Sequence, residues 1–277
     1  MERRRAFGSS LAYLLLAIAS ILSLFPIFWM ISVSLRPNVD IFRIPPAWFP
    51  SELTGEAYRQ IVATPQHVRT FANSYFTALM VTLLSLCFAM LGGYAFSRFD
   101  FRGSRLIQLL IIGTQMIPPI SLVIPYFILI VRLKLYNTYL GLILTYTAFV
   151  LPFSTLMLIS YFNTIPQDLE EAARVDGCTR IGALVRVVLP LMLPGVAATG
   201  VYAFLLAWNE FLFAVTLTQS PDMRLVPVAI AMLMGEHAYQ WNVMMALSVL
   251  ASAPLLVMFL FLQRYLVSGL TVGAVKG

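Results

Sequence analysis

The stretch EEAARVDGCTRIGALVRVVLPLMLPG, residues 170–195, interrupts a chain that otherwise consists largely of long apolar runs. Its first part, residues 170–186, carries three acids and three arginines, with a glycine between them. Two prolines, at 190 and 194, then accompany the return to apolar sequence. The flanking apolar runs decide the fold class, and the side chains of the polar stretch indicate the function.

The composition indicates a protein that is surrounded by lipid. Of the 277 residues, 60% are hydrophobic and only 11% are charged, whereas a soluble domain carries about 25% charged residues. So few charges cannot cover a globular surface of this size. The net charge is +6, but the basic residues are scattered in short segments between apolar runs. That distribution is typical of membrane topology and argues against a nucleic-acid-binding patch.

Six windows are long enough for a transmembrane helix, which needs about 20 apolar residues. They are residues 11–35, 71–97, 106–131, 135–167, 190–217 and 241–263. Only the fifth contains an acidic or basic residue, Glu210. The fourth is too long for one span, so we assign residues 163–167 to the following loop. The sequence therefore predicts an all-α membrane protein with six transmembrane helices, without an internal repeat or a separate soluble domain.

The basic residues predict the orientation. Three arginines at positions 3–5 precede the first window as in a signal peptide, but the apolar run is too long for a signal core and no small-residue cleavage site follows. We interpret it as an uncleaved first helix. With the N-terminus inside, 11 basic residues fall in inner segments and 7 in outer ones, as the positive-inside rule favours. Both termini and the loop at residues 170–186 are then cytoplasmic.

Tryptophans and prolines mark the ends and interior of the spans. The four tryptophans are predicted to be interfacial anchors; they are Trp29, Trp48, Trp208 and Trp241. Pro118-Pro119 and Pro125 are predicted to interrupt the third span. Such a break is tolerated where neighbouring helices or water satisfy the freed backbone groups. A kink that shapes packing and a direct role in a pathway are both compatible with these prolines.

The cytoplasmic loop begins with a predicted short helix. Thr164 and Gln167 have capping-box spacing with Pro166 in the first turn, and the acids that follow suit a helix start. Glu170 and Arg174 are predicted to pair as i,i+4 neighbours. The small side chains of residues 172–173 let another surface approach closely. Asp176-Gly177 is predicted to end the helix, because glycine accepts the left-handed conformation of such caps.

A second short helix is predicted from Thr179. Its apolar stripe is formed by Ile181, Leu184, Val185 and Val188, with Arg180 and Arg186 off the stripe. Pro190 is predicted to end or kink it before the fifth span. The product is a rigid helix-turn-helix elbow, which is suited to docking into a groove on a partner.

The spacing in this loop resembles the EAA loop of bacterial ABC importer permeases. Glu171-Ala172-Ala173 is followed by three residues, Gly177, nine residues and Val187-Val188-Leu189-Pro190. The family pattern is Glu-Ala-Ala, three residues, Gly, nine residues, then Ile-x-Leu-Pro. Val187 in place of Ile is the one departure. The position between the fourth and fifth spans also agrees with the family.

Further stretches resemble carbohydrate importer permeases, in particular the six-span subunit of the maltose or trehalose type. They are Ser32-Val33-Ser34-Leu35-Arg36-Pro37, Asn73-Ser74, Ala207-Trp208-Asn209-Glu210 and the ending Gly269-Leu270-Thr271-x-Gly-Ala-Val-Lys-Gly277. The resemblance covers essentially the whole chain and implies the type I ABC importer permease fold. It divides the chain into residues 1–70 (tail, first span and outer loop), 71–264 (spans two to six, with the coupling loop at about 163–190) and a cytoplasmic tail at 265–277.

The resemblance also implies a mechanism and a set of partners. A cytoplasmic ATPase dimer docks on the EAA loops of this permease and of a second, paralogous permease in the bacterial cytoplasmic (inner) membrane. ATP-driven closure of the dimer then switches the permease heterodimer between inward- and outward-facing states, and an extracytoplasmic sugar-binding protein delivers the sugar. The residues implied in docking are Glu171, Ala172, Ala173, Asp176, Gly177, Val187, Leu189 and Pro190. Without the family spacing, an amphipathic helix lying on the lipid surface would explain the loop equally well.

The chain is predicted to bind no cofactor and to have no enzyme activity of its own. A phosphate-binding loop needs Gly, four residues, Gly-Lys-Ser/Thr, and neither lysine, Lys134 or Lys276, stands in such a context. ATP would therefore be hydrolysed by partner subunits. Cys87 and Cys178 lack a second cysteine nearby, and His67 and His237 lack partners at ligand spacing. We predict no metal site.

Glu210 is the first candidate for the substrate path. A charge in a span costs on the order of 3 kcal/mol, so it usually faces a cavity or a partner. An acid near the outer interface, next to an anchoring Trp208, is the alternative interpretation. Asn209 and Gln115 are further candidates, for which a packing hydrogen bond between helices is equally compatible.

Other functions stay open at this stage. An ion-coupled secondary transporter would be expected to have several buried ionisable groups and two similar halves. A non-transporting membrane scaffold would not require the elbow spacing. Within the ABC family, solutes other than sugars, such as amino acids, peptides or glycerol phosphate, are alternatives.

Overall fold

The computed structural model describes residues 2–44, 48, 52–236 and 240–272, and within these ranges every regular element is helical. The helices are α1 (Glu2–Ser34), α2 (Asn38–Ile41), α3 (Glu56–Ala63), α4 (Pro65–Arg98), α5 (Ser104–Thr114), α6 (Pro119–Arg132), α7 (Tyr139–Phe162), α8 (Asp168–Val175), α9 (Arg180–Ala183), α10 (Leu189–Trp208), α11 (Leu212–Leu217), α12 (Val226–Glu236) and α13 (Trp241–Val272). A π-helical turn joins α9 to α10 at Leu184–Val188, and a short 3₁₀ turn lies at Pro221–Met223. The chain forms two units, Met1–Val68 with Ala229–Pro254 and Arg69–Val228 with Leu255–Gly277.

The described residues contain six candidate membrane spans, by length and hydropathy, when one broken helix pair is counted as a span. Five helices are long and apolar enough: Ala12–Ser34, Pro65–Arg98, Tyr139–Phe162, Arg180–Trp208 and Trp241–Phe261. The sixth consists of α5 and α6, which meet at a bend of 99°. The predicted count of six is confirmed on this basis.

The break between α5 and α6 lies where the sequence placed it. Pro118 caps α6 and Pro119 occupies its first turn, where the missing N–H costs nothing. The prediction for Pro125 was wrong, because this residue lies inside α6 and the helix continues through it. A proline removes one backbone bond but does not necessarily end a helix that its neighbours support.

The fifth span begins earlier and ends earlier than the window predicted. Helix α9 continues through the π turn into α10, and the Leu189 N–H bonds to the Leu184 carbonyl, five residues back. The alternative that Pro190 ends the helix was wrong: it lies in the first turn of α10, after the π turn has shifted the bonding register. At the other end α10 stops at Trp208. Glu210 therefore lies in a break between two helices, not inside a span helix as predicted.

In the first unit, the SVSLRP stretch ties the end of α1 to the loop that follows. The Arg36 guanidinium is buried, donates to the Ser32 hydroxyl (2.8 Å) and the Trp48 carbonyl (2.7 Å), and lies over the Trp29 ring. The Ser34 and Tyr58 hydroxyls are 2.7 Å apart. These polar residues fix the loop rather than a ligand.

In the second unit, a buried core joins α4, α7 and α10. Its fully buried members are Ala89, Leu158, Phe162, Val188 and Met192. In lipid such a core is stabilised mainly by close van der Waals contact, because transfer from lipid to protein gains little hydrophobic free energy.

Close contact between α7 and α10 depends on Gly195. A Cβ at this position would lie 2.7–2.8 Å from the Cδ atoms of the Tyr161 ring, a separation that requires the ring or the helix to move. We expect Gly195→Ala to destabilise the protein by about 1–3 kcal/mol, as overpacked cores do. Thermal unfolding in detergent, followed by tryptophan fluorescence, measures the effect.

Gly200→Ala is the matched control for this prediction. Both glycines lie in α10, so both substitutions gain the same helix propensity. At Gly200 the nearest atom to a new Cβ would be a terminal methyl of Leu86 at 3.3 Å, which moves easily. Equal melting temperatures for the two variants would contradict the assigned role of Gly195.

Candidate functional site

The first arm of the elbow is helix α8. Its first turn carries Asp168, Glu170 and Glu171, as predicted. The predicted capping box is absent: the cap residue Gln167 makes no side-chain capping bond. Thr164 instead donates its hydroxyl to the Tyr161 carbonyl (2.7 Å) at the end of α7. The Thr164 hydroxyl therefore bonds to the C-terminal end of α7 and does not cap α8, which the spacing alone did not indicate.

Gly177 ends α8 in a Schellman motif, as the sequence predicted. Its φ is +91°, in the left-handed region that glycine adopts without strain. The Cys178 N–H donates to the Ala173 carbonyl (3.0 Å) and the Gly177 N–H to the Arg174 carbonyl (3.1 Å). This paired closure fixes the angle at which the chain leaves α8.

The second arm begins at Thr179, whose hydroxyl accepts the Gly182 N–H (3.1 Å). The predicted apolar stripe was partly wrong. Val188 is fully buried, but Ile181 is 74% exposed and Val185 is 52% exposed. The π turn explains the difference, because it bonds residues five apart and places Ala183 and Val188 together on the buried face.

The elbow presents apolar and small side chains to its surroundings. Val175 is 87% exposed and, with Ile181 and Val185, leaves an apolar surface without a cover from the described part of the chain. Of the residues that the sequence implied in docking, Glu171, Ala172, Asp176, Gly177 and Pro190 are exposed, Val187 and Leu189 are half-buried, and Ala173 is buried. Exposed apolar groups rimmed by charges are typical of protein interaction sites.

Glu170 does not pair with Arg174, contrary to the i,i+4 prediction. Its carboxylate binds Arg98 at the end of α4, with 2.5 Å between Nε and Oε1, and accepts the Tyr94 hydroxyl at 3.0 Å. A buried carboxylate prefers a buried cation over an exposed neighbour on its own helix, because the buried pair replaces the lost hydration.

A cavity of about 440 Å³ lies in the second unit, within the size range of ligand sites. Three of the four residues predicted for the substrate path line it, namely Gln115, Asn209 and Glu210. The fourth, Trp208, is not among the lining residues. Its ring is 3% exposed and packs on Tyr75 and Phe204, which excludes an anchor exposed to lipid in this structure.

Two helix breaks meet at this cavity. Gln115 follows α5 at the first break, and residues 209–211 form the second, between α10 and α11. Irregular backbone at membrane depth is tolerated where it lines a cavity or is enclosed by protein. Broken helices also form the substrate sites of many other transporters. The cavity therefore has the geometry of a binding site.

Glu210 organises the second break. Its carboxylate oxygens accept the backbone N–H groups of Phe213 and Ala214, each at 3.0 Å. It thereby caps the start of α11, where free N–H groups favour negative charge. Tyr146 lines the cavity together with Glu210, and its buried hydroxyl has no hydrogen-bond partner among the described residues.

Aromatic side chains of the cavity were missed at the sequence level. Tyr146, Phe149 and Tyr202 line it beside Pro119 and Phe213. Phe149 lies 4.7 Å from Phe213 between ring centroids, and Tyr202 lies 4.3 Å from Phe153. These residues stand in apolar windows that contain many other aromatic residues, so the sequence offered no signal that distinguishes lining residues from packing ones.

Among the described residues, no group of His, Cys, Asp and Glu is arranged to hold a metal ion. His67 lies in the first turns of α4, and both cysteines are free. His237 and residues 273–277 of the ending motif lie outside the described residues.

Comparison with known proteins shows extended similarity to permeases. The chain is 40% identical over 271 residues to the sulfoquinovosyl glycerol transport system permease SmoH of Agrobacterium fabrum, covering 98% of this chain and 95% of the relative. It is 41% identical over 261 residues to the trehalose/maltose transport system permease MalG of Thermococcus litoralis, with 93% of each covered.

Solved structures and a family profile agree with these relatives. A crystallised bacterial ABC transporter involved in the import of the acidic polysaccharide alginate shares the fold, with a TM-score of 0.79, 24% identity, and coverage of 94% of this chain and 96% of that one. The profile of binding-protein-dependent transport system inner membrane components matches residues 85–272. The chain is thus a multi-pass permease that belongs to the family of binding-protein-dependent transport system inner membrane components.

Proposed function

We propose that this chain is one of two paralogous permease subunits of an ATP-driven sugar importer. The observation that carries the proposal is the meeting of two helix breaks at one cavity, lined by Gln115, Asn209 and Glu210 and by aromatic rings. A secondary transporter would be expected to contain several ionisable groups at such a site, and Glu210 is the one acid or base that lines it.

The lining suits a sugar. Aromatic rings offer flat apolar surfaces for the C–H faces of a sugar ring, while amide and carboxylate groups exchange hydrogen bonds with its hydroxyls. Relatives named for transport of trehalose and maltose, diacetylchitobiose and arabinooligosaccharides support a di- or oligosaccharide. Gln115 and Asn209 supply side-chain amides directly after the ends of α5 and α10, and the Asn209 amide is held by a bond to the Leu205 carbonyl (2.8 Å).

The elbow formed by α8 and α9 serves as the docking element for a cytoplasmic ATPase dimer. Glu171, Ala172 and Gly177 are exposed on it, and its apolar side chains would be covered by a groove of the partner. Leu189 and Pro190 join it to α10 without a loop, so a movement of the elbow passes directly into a membrane helix. The chain itself supplies no phosphate-binding loop, and the partner would hydrolyse the ATP.

The remaining organisation follows the basic residues and the family likeness. Both termini and the elbow face the cytoplasm of a bacterial cell, and an extracytoplasmic binding protein delivers the sugar to the other side. The chain is divided into an N-terminal part with the tail, first span and outer loop (residues 1–70), a transport domain (71–264) and a C-terminal tail (265–277). One solved structural neighbour is a transporter in complex with a pentasaccharide-bound periplasmic protein, which supports the expectation of a binding protein.

The test is co-purification followed by reconstitution. The tagged chain is isolated from native membranes in mild detergent, and the chains that accompany it are identified by mass spectrometry. We expect an ATPase and a second multi-span permease. In liposomes, the assembly should take up labelled trehalose or maltose only with ATP and the binding protein present.

Two outcomes would contradict the proposal. If the chain were isolated alone and transported solutes without ATP, an ion-coupled carrier would be the correct description. If the full assembly hydrolysed ATP in response to an amino acid, a peptide or glycerol phosphate and not to a sugar, the substrate class would be wrong.

A further inference from the structure

A buried polar cluster connects helix α8, the first arm of the elbow, to the membrane helix α4. It consists of Tyr94, Arg98 and Glu170, and we call it the latch. The Arg98 side chain is 6% exposed and that of Glu170 is 10% exposed. Arg98 also donates to the Ile165 carbonyl (3.0 Å), while its guanidinium carbon lies 5.9 Å from the centroid of the Phe162 ring.

The latch and the exposed surface of α8 use different residues of this helix. Glu170 and Ala173 form the buried face of α8, whereas Glu171 and Ala172 form its exposed face. The two neighbouring glutamates line the same small pocket, but Glu170 is buried in the ion pair whereas Glu171 is exposed and available to a partner. A buried ion pair gains little net stability over apolar packing, but it resists separation, because either charge alone would be left without hydration.

Helix α4 is held firmly at its other end as well. Asn73 donates to the carbonyls of Asp222 (2.8 Å) and Arg224 (3.0 Å) and accepts the Tyr139 hydroxyl (2.6 Å). Ser74 accepts the Val226 N–H at 2.8 Å. The 34 residues of α4 span about 50 Å at 1.5 Å per residue. A single helix thus connects the latch to the segment that leads into α12.

We propose that the latch transmits the movement of the docked elbow to α4, so that Glu170 and Arg98 are positioning residues for energy coupling. The inference rests on the proposed function, since it presumes that α8 is moved by an ATPase. The direct covalent link from the elbow leads into α10, whereas the latch adds a second link, to α4. Without it, the elbow would be linked to α4 only indirectly, through α10 and the buried core, and less uptake would be obtained per ATP hydrolysed.

The test compares single substitutions with a charge exchange. Glu170→Gln and Arg98→Gln each remove one charge of the pair, and the double variant Arg98→Glu with Glu170→Arg restores a pair in reversed order. Arg69→Gln is the matched control. Arg69 also lies on α4 and forms an ion pair, with Asp222 of the 3₁₀ turn, but the two side chains are 55% and 59% exposed. Each variant is purified as the complete assembly and reconstituted in liposomes.

We expect the single variants to retain the ATPase subunits and a hydrolysis rate within about twofold of the parent, while uptake per ATP falls about tenfold or more, as for loss of a typical coupling energy. The charge exchange should recover a substantial part of that loss, and Arg69→Gln should behave as the parent. Unchanged uptake per ATP in both single variants would overturn the proposal. So would loss of the ATPase from the assembly, because the pair would then serve docking.

A second measurement does not depend on sugar transport. The parent for this measurement carries Cys87→Ser, Cys178→Ser and Gln115→Cys, and the latch variants are made in the same background. Labelling of residue 115 by a thiol reagent reports access to the cavity. Labelling should change on addition of ATP in the parent and stay constant in the latch variants. Sugar uptake is measured separately in the protein that retains Gln115. If that protein took up no sugar, while labelling of the cysteine variant changed with ATP and stayed constant in the latch variants, the substrate class would be wrong and the latch proposal would be supported. If labelling of the latch variants changed with ATP as in the parent, the latch proposal would be wrong and the proposed function would be unaffected.

The charge exchange also covers the case in which single variants do not accumulate. If the exchanged pair accumulates and couples hydrolysis to labelling, the pair is the determinant and the proposal is supported. If it accumulates and does not couple, the proposal is overturned.

Discussion

Replacement of Gly177 by proline is expected to abolish uptake while the protein still accumulates in the membrane. The backbone at this position has φ +91°, whereas proline fixes φ near −65° and has no N–H. The bond from the Gly177 N–H to the Arg174 carbonyl would be lost, and the elbow would have to open. A penalty of about 3 kcal/mol on the docked geometry corresponds to about a hundredfold loss of uptake.

Gly103 provides a control with the same backbone conformation. It has φ +90°, and a Cβ at either glycine would have open space around it. Alanine should therefore cause the same left-handed strain at both positions, about 1–2 kcal/mol, and similar decreases in melting temperature. Only Gly177→Ala should reduce uptake, by about tenfold, because Gly103 lies before α5 and outside the elbow. Equal uptake losses for the two variants would assign the effect to general destabilisation.

Glu210→Ala is expected to weaken both the fold and the transport activity. It leaves the N–H groups of Phe213 and Ala214 without their acceptors and costs about 1–2 kcal/mol, as loss of a helix cap does. The second break should then lose its defined shape, and uptake should fall about tenfold or more. Glu210→Gln keeps one carbonyl acceptor, so its melting temperature should lie between those of the alanine variant and the parent.

Gln115→Ala distinguishes recognition from capping. Gln115 lines the same cavity, and its described hydrogen bonds involve the backbone alone. We expect an unchanged melting temperature and an increase of the KM for sugar by about two- to tenfold, the value of one neutral hydrogen bond.

If Glu210→Ala left the melting temperature unchanged and raised only the KM, the carboxylate would contact the sugar and would not hold the break.

The elements that local sequence determines were predicted well. Apolar windows of sufficient length indicated six spans, and the glycine at 177 indicated the end of α8, because each depends on residues that are adjacent in the chain. For Glu210, the cost of a charge in a span indicated a cavity or an interface; it lines a cavity together with Asn209 and Gln115, and their role in a substrate path stays a prediction.

Features that depend on distant residues were not predicted. The partner of Glu170 is 72 residues away in the chain, and local spacing favoured Arg174 instead. The exposure of Ile181 and Val185 depends on a π turn, for which the sequence carries no recognised signal. The aromatic residues that line the cavity are of the same types as those that pack between helices. Which aromatic side chains line the cavity depends on the two helix breaks.

Helix α1 has a consequence for biogenesis. Residues 12–28 are all exposed, and none of the most apolar window of α1 is buried against the rest of the described chain. A helix that satisfies its own backbone bonds and needs no neighbour is stable in lipid by itself. We therefore expect α1 to be stable in the bilayer before the later transmembrane helices have been synthesised. Its apolar positions before Phe25, whose ring contacts Trp29 and Trp48, are then constrained by hydropathy more than by shape. Exchanges among Leu, Ile, Val and Phe in residues 12–24 should leave the yield of inserted protein unchanged.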